Sequence, residues 1–221
     1  KMNNNNPVPL PITKPRGSGD PIEVFMLMVE GDSAVIRYPV DSLKKMGQSP
    51  PWAKDGDMIV YFASLVSLKT DAEQKKESAE KAEKQKAIDD KILQDYFSKN
   101  KISPKKTASG LYYTVSADGH GNTIAAGKTV NVNYTGMFLD GKKFDSNTDS
   151  SFHHVQPFNL TVGKGSVIKG WDEGLQLLKT GSKARFYIPS GLAYGSQDRS
   201  PQIPANSILV FDVEILDLPD Q

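Results

Sequence analysis

The sequence contains no cysteine. This absence excludes disulfide bonds, thiolate metal sites and a cysteine nucleophile, although it leaves the cellular compartment open. An excess of charge is also missing, because 27 basic and 26 acidic residues give a net charge of +1. Nucleic-acid binding relies on a surplus of positive charge, so we expect no nucleic-acid partner.

Long apolar runs and catalytic motifs are missing as well. No run reaches the roughly 18 residues of a membrane helix and the N-terminus lacks the order of a signal peptide, so we expect a soluble chain from which any export signal or lipid anchor has been removed. His153 and His154 are adjacent and leave only His120 as a third imidazole, so no metal site is expected. A phosphate-binding loop and a Ser-His-Asp context are also lacking, and we expect no cofactor.

Composition divides the chain into three regions. Residues 1–68 have a Pro-rich start and short apolar runs between Gly, Pro and Asp, which indicates strands and one short helix. Residues 69–106 contain a charged stretch without Gly or Pro that opens with the capping pair Thr70 and Glu73, which predicts a linker helix. The end of this helix carries an apolar stripe that should pack on a domain or on another copy of the chain: Ile88, Ile92, Leu93, Tyr96 and Phe97.

The third region, residues 107–221, has the period of two that is typical of strands with one buried face. Apolar and polar residues alternate over four segments, 111–115, 130–134, 184–188 and 209–215. A short helical pattern that begins near Trp171 lies between the second and third segments. The predicted fold class is therefore α+β, with a curved antiparallel sheet wrapped around one short helix.

Short sequence blocks in this region occur in a fixed order. They are residues 132–136, 140–146, 167–174, 193–195, 203–204 and 209–214. In order and spacing these blocks resemble the FKBP family of peptidyl-prolyl cis–trans isomerases. One block alone is weak evidence for the family, but all six in order are specific for it. The resemblance covers the second half of the chain. The resemblance implies an FKBP-like fold and isomerase activity.

The resemblance also implies a proline-binding pocket. Trp171 would form its floor, Asp145 and Tyr194 would supply polar groups at its rim, and the Ile168 N–H would donate to a ligand carbonyl. Residues 147–156 form a longer loop than in short family members and contain no arginine to pair with the aspartate, while residues 196–202 differ from the usual loop over the pocket. The complete candidate site is Tyr134, Phe144, Asp145, Phe158, Val167, Ile168, Trp171, Tyr194, Ile203 and Phe211.

An aromatic pocket of this kind suits rotation about an Xaa–Pro bond. The barrier of about 18–20 kcal/mol comes from amide resonance, which a dry pocket weakens because the twisted amide is less dipolar than the planar one. Such catalysis needs no nucleophile, metal or cofactor. The alternative function is that of a folding chaperone or peptide-binding module with little turnover.

Partners and location follow from the same resemblance. Expected partners are proline-containing unfolded or partly folded polypeptides and macrolide ligands of the rapamycin type, and a homodimer could form through the N-terminal region or the linker helix. The pairing of two domains through a long helix is similar to exported bacterial isomerases. We therefore expect residence in the cell envelope, periplasmic or lipid-anchored, with the cytoplasm left open.

An internal repeat connects the two ends of the chain. Residues 7–68 align without gaps on residues 157–218 at a constant offset of 150, which matches Gly31 with Gly181. The pocket does not recur, since the counterpart of Trp171 is a proline. We therefore predict three parts: a partial, degenerate FKBP-like domain (1–68), a charged linker helix (69–106) and an isomerase domain (107–221).

The offset also concerns the start of the first repeat. The counterparts of Tyr134, Phe144 and Asp145 would lie before Lys1, so the first repeat lacks its opening strands within this sequence. Either the chain is a fragment or further residues precede it. A half-domain would expose sheet edges, and such edges favour dimerisation or domain swapping.

Overall fold

The computed structural model describes residues 7–15, 20, 22–45, 47, 49–199 and 201–216. The chain divides into two compact units, Lys1–Lys75 and Lys76–Gln221. The first unit contains two short helices, α1 (Ile22–Leu27) and α2 (Val40–Lys45), and two antiparallel strands, β1 (Ser33–Pro39) and β2 (Met58–Ser64). The strands agree with the prediction for this region, whereas the sequence indicated one short helix and the structure has two.

A long helix, α3, spans Asp71–Asn100. At its start the Thr70 hydroxyl accepts a hydrogen bond from the Glu73 N–H at 3.2 Å, and the Glu73 carboxylate accepts one from the Thr70 N–H at 2.8 Å. These bonds satisfy two of the amides that a helix leaves free at its N-terminus. The predicted helix and its cap are therefore confirmed. Among the described residues, no helix has the length and apolar character needed to span a membrane.

The second unit is built on an antiparallel sheet of seven strands. They are β3 (Lys105–Lys106), β4 (Tyr112–Ala117), β6 (Thr129–Met137), β7 (Lys143–Ser146), β8 (Phe158–Thr161), β10 (Lys183–Ile188) and β11 (Leu209–Leu216). Their order is β3-β4-β10-β11-β6-β7, and β8 pairs with β6. Two further strands, β5 (His120–Thr123) and β9 (Lys179–Thr180), pair separately. The alternating segments of the sequence thus become β4, β6, β10 and β11.

Helix α4 (Lys169–Leu175) packs on one face of this sheet. Gly174 permits this approach, because a Cβ atom at this position would lie 2.7 Å from the ring of Phe186 on β10. The core between helix and sheet includes Leu175, Phe186 and Val213, all buried. The fold is therefore α+β, as predicted, with the sheet curved over one short helix.

The end of α3 covers the other face of the sheet. Leu93 and Phe97 are buried against Tyr112, Tyr187 and Val210, which alternate along their strands with the residues that face α4. The sequence left two partners open for the apolar stripe, a domain or another copy of the chain. In the structure, Leu93 and Phe97 of this stripe pack on the sheet of the second unit. The second unit accordingly begins inside the helix, at Lys76.

Two carboxylates of α3 form hydrogen bonds with other parts of the second unit. Asp89 is buried and accepts hydrogen bonds from the Ser190 N–H at 2.7 Å and the Ser190 hydroxyl at 2.6 Å. It thereby caps the short 3₁₀ helix Ser190–Leu192, whose own N-cap is a proline without a side-chain cap. Asp90 accepts hydrogen bonds from the ammonium of Lys106 at 2.5 Å and the hydroxyl of Tyr112 at 2.7 Å.

The Asp90 cluster predicts an acid-sensitive contribution to stability. The hydrogen bonds from Lys106 and then Tyr112 lower the pKa of Asp90 below its ordinary value. Because the folded pKa lies below the unfolded one, the stabilisation is present above the unfolded pKa of about 4 and is lost as the pH falls through the folded pKa. Replacing Asp90 by asparagine should therefore lower the Tm at pH 7, and the difference from the wild type should shrink at about pH 3. An equal difference at both pH values would contradict this assignment.

Candidate active site

Strands and α4 together bring the predicted aromatic side chains into one cluster. The Trp171 ring on α4 lies 5.3 Å from that of Tyr134 on β6 and 5.2 Å from that of Phe211 on β11, in both cases nearly perpendicular. Phe158 on β8 lies 6.2 Å from Trp171, and Phe144 on β7 lies 5.6 Å from Phe211. Edge-to-face contacts of this kind are favourable and fix ring orientation. The result is one connected aromatic surface.

Gly136 allows two of these rings to meet. A Cβ atom at this position of β6 would lie 2.7 Å from the Phe144 ring and 2.8 Å from the Phe211 ring, closer than side-chain carbons approach. A glycine is therefore required between them. Sequence reasoning placed this residue in a motif but did not identify its steric role.

Trp171 lies at the centre of the cluster and is 4% exposed. Its indole N–H is the one buried side-chain polar group without a hydrogen-bond partner among the described residues. The side chain is therefore held by packing and ring contacts. Replacing Trp171 therefore breaks no side-chain hydrogen bond within the described part of the chain. It changes only the shape and polarity of the aromatic cluster.

Asp145 forms the polar rim beside the aromatic rings. Its Oδ2 accepts a hydrogen bond from the Tyr134 hydroxyl at 2.8 Å, and its Oδ1 lies 2.8 Å from Nε2 of His154. Burial, followed by this bond to Asp145, raises the pKa of Tyr134 well above its ordinary value, so the hydroxyl remains a donor at physiological pH. The rim therefore presents a carboxylate held between a phenol and an imidazole.

His154 was missed as a site residue by sequence reasoning. The absence of arginine from residues 147–156 was noted, but the same loop contains this other basic side chain, which occupies a position beside the aspartate. A search for any basic residue in the loop would have found it. The loop itself is anchored, because Asp149 caps the 3₁₀ helix Ser150–Phe152. Hydrogen bonds first from Lys143 and then from Ser151 lower the pKa of Asp149 to about 2.

Asn147 is a second residue that sequence reasoning missed. Its buried amide accepts a hydrogen bond from the Tyr134 N–H at 2.6 Å and donates to the carbonyls of Val132 and Gln156, each at 2.9 Å. These bonds close the base of the loop onto β6. Asn147 thus positions both Tyr134 and the loop that carries His154.

The remaining predicted residues lie at the entrance to the cluster. Val167, Ile168 and Tyr194 are partly buried on the same core, and Ile203 is 8% exposed within it. The first three also line an adjoining groove of about 820 Å³, which Trp171 and Phe211 do not line. Along this groove the guanidinium carbon of Arg199 lies 4.4 Å from the centre of the Tyr194 ring, a favourable cation–π distance. The structure thus brings all ten predicted residues to one region.

We predict a measurable role for His154 at this rim. Replacing it with alanine removes the partner of Asp145 and should weaken binding of a macrolide pocket ligand about 2–5-fold, since both side chains are partly exposed. The control is His153→Asn, because His153 has a φ of 62° that asparagine tolerates and the Asp145 contact is made by its neighbour. Isothermal titration of both variants measures the effect. Equal affinities for wild type and His154→Ala would exclude this role.

The chain is similar to known proteins over the region that contains this site. Residues 121–216 match the family described as FKBP-type peptidyl-prolyl cis-trans isomerase. A Haemophilus influenzae protein named probable FKBP-type peptidyl-prolyl cis-trans isomerase is 36% identical over 195 residues, which are 86% of this chain and 78% of that protein. FkpA of Aeromonas hydrophila is 44% identical over 138 residues, 62% of this chain and 49% of FkpA.

A solved structure is similar as well. The crystal structure of FkpA from Escherichia coli matches with a TM-score of 0.50 and 36% identity over 69% of this chain and 74% of that chain. The matched sequences favour the isomerase over the alternative of a folding chaperone or peptide-binding module with little turnover. The chain therefore belongs to the FKBP-type peptidyl-prolyl cis–trans isomerase family, whose members accelerate rotation about the peptide bond before proline.

Proposed function

We propose that the proline ring of an Xaa–Pro substrate binds against the aromatic cluster, with Trp171 as its floor. The observation that supports this assignment is the set of ring contacts that join Tyr134, Trp171 and Phe211 in one apolar surface: Trp171 meets the other two rings nearly perpendicularly, and those two are tilted against each other. Phe144 and Phe158 extend this surface on either side. The compact, saturated proline ring can pack on such faces and edges without needing a polar partner.

Rotation is favoured because the site binds the twisted amide better than the planar one. The planar Xaa–Pro amide has the larger dipole, so transfer from water to an apolar site disfavours it relative to the transition state. The Ile168 N–H precedes α4 and has no hydrogen-bond acceptor among the described residues, and we assign it to the substrate carbonyl. Asp145 and the Tyr134 hydroxyl form the polar edge past which the carbonyl turns.

Residues that flank the proline occupy the groove beside the pocket. Val167, Ile168 and Tyr194 belong to both surfaces, so a bound chain can continue from one to the other. The groove also contains Arg199, which lies over Tyr194, and Lys169. Substrate preference is therefore set by the groove, whereas recognition of proline is set by the cluster.

The decisive experiment is the cis-to-trans rate of a short Xaa–Pro peptide with and without the protein. A rapamycin-type macrolide serves as the competitor. Acceleration that the macrolide abolishes supports both the activity and the site. Acceleration that persists at saturating macrolide would refute the site but keep the activity. A folded protein without any acceleration would refute the catalytic assignment and favour a chaperone role.

We also propose that the enzyme acts in the cell envelope on partly folded polypeptides. Support comes from the long helix ahead of the isomerase fold, an organisation that resembles exported bacterial isomerases, and from the similarity to FkpA over 62% of the chain. Cell fractionation with an antibody tests this location, and recovery in the cytoplasm alone would refute it.

The homodimer stays a prediction. Ile88 and Ile92 of α3 are 52% and 43% exposed, so this helix keeps an apolar strip after Leu93 has packed on the second unit. Such a strip supports pairing with another helix. Sedimentation equilibrium of the wild type and of Ile88→Lys tests it, and a wild type that is monomeric at high concentration would exclude it.

A further inference from the structure

Asp89 is a buried carboxylate on the face of α3 that packs on the second unit. The buried residues of this helix are Asp89, Leu93 and Phe97, one in each successive turn, and Asp89 is 1% exposed. A carboxylate loses favourable hydration when it is buried, so an apolar side chain would be the expected residue if packing were the only role of this position. The carboxylate therefore needs another explanation.

Three hydrogen bonds compensate the charge of Asp89. Its Oδ1 accepts one from Nε2 of Gln85, one turn earlier on α3, at 2.8 Å. Its Oδ2 accepts two from Ser190, one from the N–H at 2.7 Å and one from the hydroxyl at 2.6 Å. Gln85 thus fixes the carboxylate with its second oxygen directed at Ser190.

Ser190 depends on this acceptor because it is fully buried. It opens the short 3₁₀ helix Ser190–Leu192, and the preceding residue, Pro189, has no side chain that could cap it. The first amides of a helix have no acceptor within the helix itself. A buried donor that loses its acceptor costs about 1–3 kcal/mol, so without Asp89 this segment would rearrange to reach water.

The carbonyl of Ser190 holds the backbone on both sides of Tyr194. It accepts a hydrogen bond from the Ala193 N–H at 2.9 Å and another from the Gly195 N–H at 2.8 Å. Tyr194 itself is partly buried on the aromatic core and lines the groove beside it. Ser190 therefore connects α3, through its N–H and hydroxyl, with the entrance of the candidate active site, through its carbonyl.

We propose that Asp89 is a positioning residue for the isomerase site, which fixes through Ser190 the backbone that carries Tyr194. None of the candidate site residues lies on α3, so this gives the helix a role in catalysis besides covering the outer face of the sheet. Small displacements of a site residue by a distant change are enough to slow an enzyme. The inference rests on the proposed function, because Tyr194 belongs to the proposed proline site.

Two variants of Asp89 test this role by activity. Asp89→Ala removes the acceptor of both Ser190 donors, and kcat/KM for an Xaa–Pro peptide should fall at least about fivefold. Asp89→Asn is the conservative variant, because its amide oxygen can still accept from Ser190 while the amide of Gln85 turns its own oxygen toward the new N–H group. This variant should keep kcat/KM within about twofold of the wild type.

The neighbouring carboxylate provides the matched control. Asp90 accepts hydrogen bonds from Lys106 and Tyr112 and makes none to the segment that carries Tyr194 among the described residues. Asp90→Ala should also weaken the contact between α3 and the sheet, but it should keep kcat/KM within about twofold of the wild type. Equal losses in the two alanine variants would indicate general destabilisation and overturn the proposal.

Amide hydrogen exchange measured by NMR gives a readout that does not depend on activity. In Asp89→Ala, exchange at Ala193 and Gly195 should accelerate at least about fivefold more than exchange along β11, because the carbonyl that they bind has lost its anchor. If Asp89→Ala does not fold, Ser190→Ala replaces it, since this variant removes only the hydroxyl bond, and the same two amides should again accelerate most. Exchange at these amides that follows β11 in the folded variant would overturn the proposal.

The two proposals about this site fail in different ways. A wild type without macrolide-sensitive acceleration would refute the proposed proline site, and the positioning role of Asp89 with it. An active wild type together with a folded Asp89→Ala variant of wild-type kcat/KM would refute the positioning role alone.

Discussion

Replacing Trp171 with leucine is expected to lower kcat/KM for an Xaa–Pro peptide by about tenfold to a hundredfold. Leucine keeps the site apolar but removes the ring that contacts Tyr134 and Phe211 edge-on at 5.3 and 5.2 Å. The lost transition-state stabilisation corresponds to about 1.4–2.7 kcal/mol. Because the indole N–H has no hydrogen-bond partner among the described residues, the loss reports the shape of the pocket floor. A coupled or NMR-detected isomerisation assay measures it.

The chain provides its own control for this experiment. Trp52, the second tryptophan, lies in the first unit and is 68% exposed, so Trp52→Leu should leave kcat/KM unchanged. Circular dichroism must first establish that both variants are folded. A folded Trp171→Leu variant with wild-type kcat/KM would remove this residue from the site, and the catalytic reading of the aromatic cluster would fail with it.

Replacing Leu93 with alanine should destabilise the second unit by about 2–5 kcal/mol. Leu93 is fully buried and packs in the cluster that joins α3 to the sheet face formed by Tyr112, Tyr187 and Val210. Truncation leaves a cavity between the helix and the sheet. At about 2–4 °C per kcal/mol for a domain of this size, the Tm should fall by roughly 4–20 °C. Differential scanning calorimetry measures the change as a shift in the Tm of the second unit.

The neighbouring residue is the matched control. Ile92 precedes Leu93 on the same helix but is 43% exposed, so Ile92→Ala should change the Tm by less than about 2 °C. If both variants melt like the wild type, α3 does not contribute to the stability of the second unit. If both are equally destabilised, the burial of Leu93 does not explain the loss.

Periodicity and capping predicted most of the secondary structure of the second unit. Alternation along β6, β10 and β11 predicted the strands and the face that packs on α4. The Thr70–Glu73 pair predicted the start of α3 because the bonds it makes are local in sequence. Signals of this kind depend on neighbours within four residues and can therefore be read without a structure.

The partner of the linker helix could not be predicted in the same way. The pattern at the end of α3 indicates an apolar stripe but not what covers it. Asp89 shows why, because its two bonds to Ser190 join residues that are 101 positions apart. Nothing in the sequence near Asp89 distinguishes it from the exposed charges along the same helix.

The candidate site was also predicted only in part from the sequence. The aromatic residues were identified through the family's order of motifs, and the structure brings them within contact of one another. His154 was missed because the comparison looked for an arginine, whereas the loop delivers an imidazole to the same carboxylate. The spacing of a loop does not determine which of its side chains reaches Asp145.

The sequence by itself determined the strands, the capped helix, the family and the repeat at an offset of 150, because each depends on residue type and spacing along the chain. Only the tertiary structure decided that α3 forms part of the second unit and that His154 partners Asp145. These features depend on which distant surfaces meet. Burial, hydrogen bonding and strand pairing select such contacts only once the whole chain has folded.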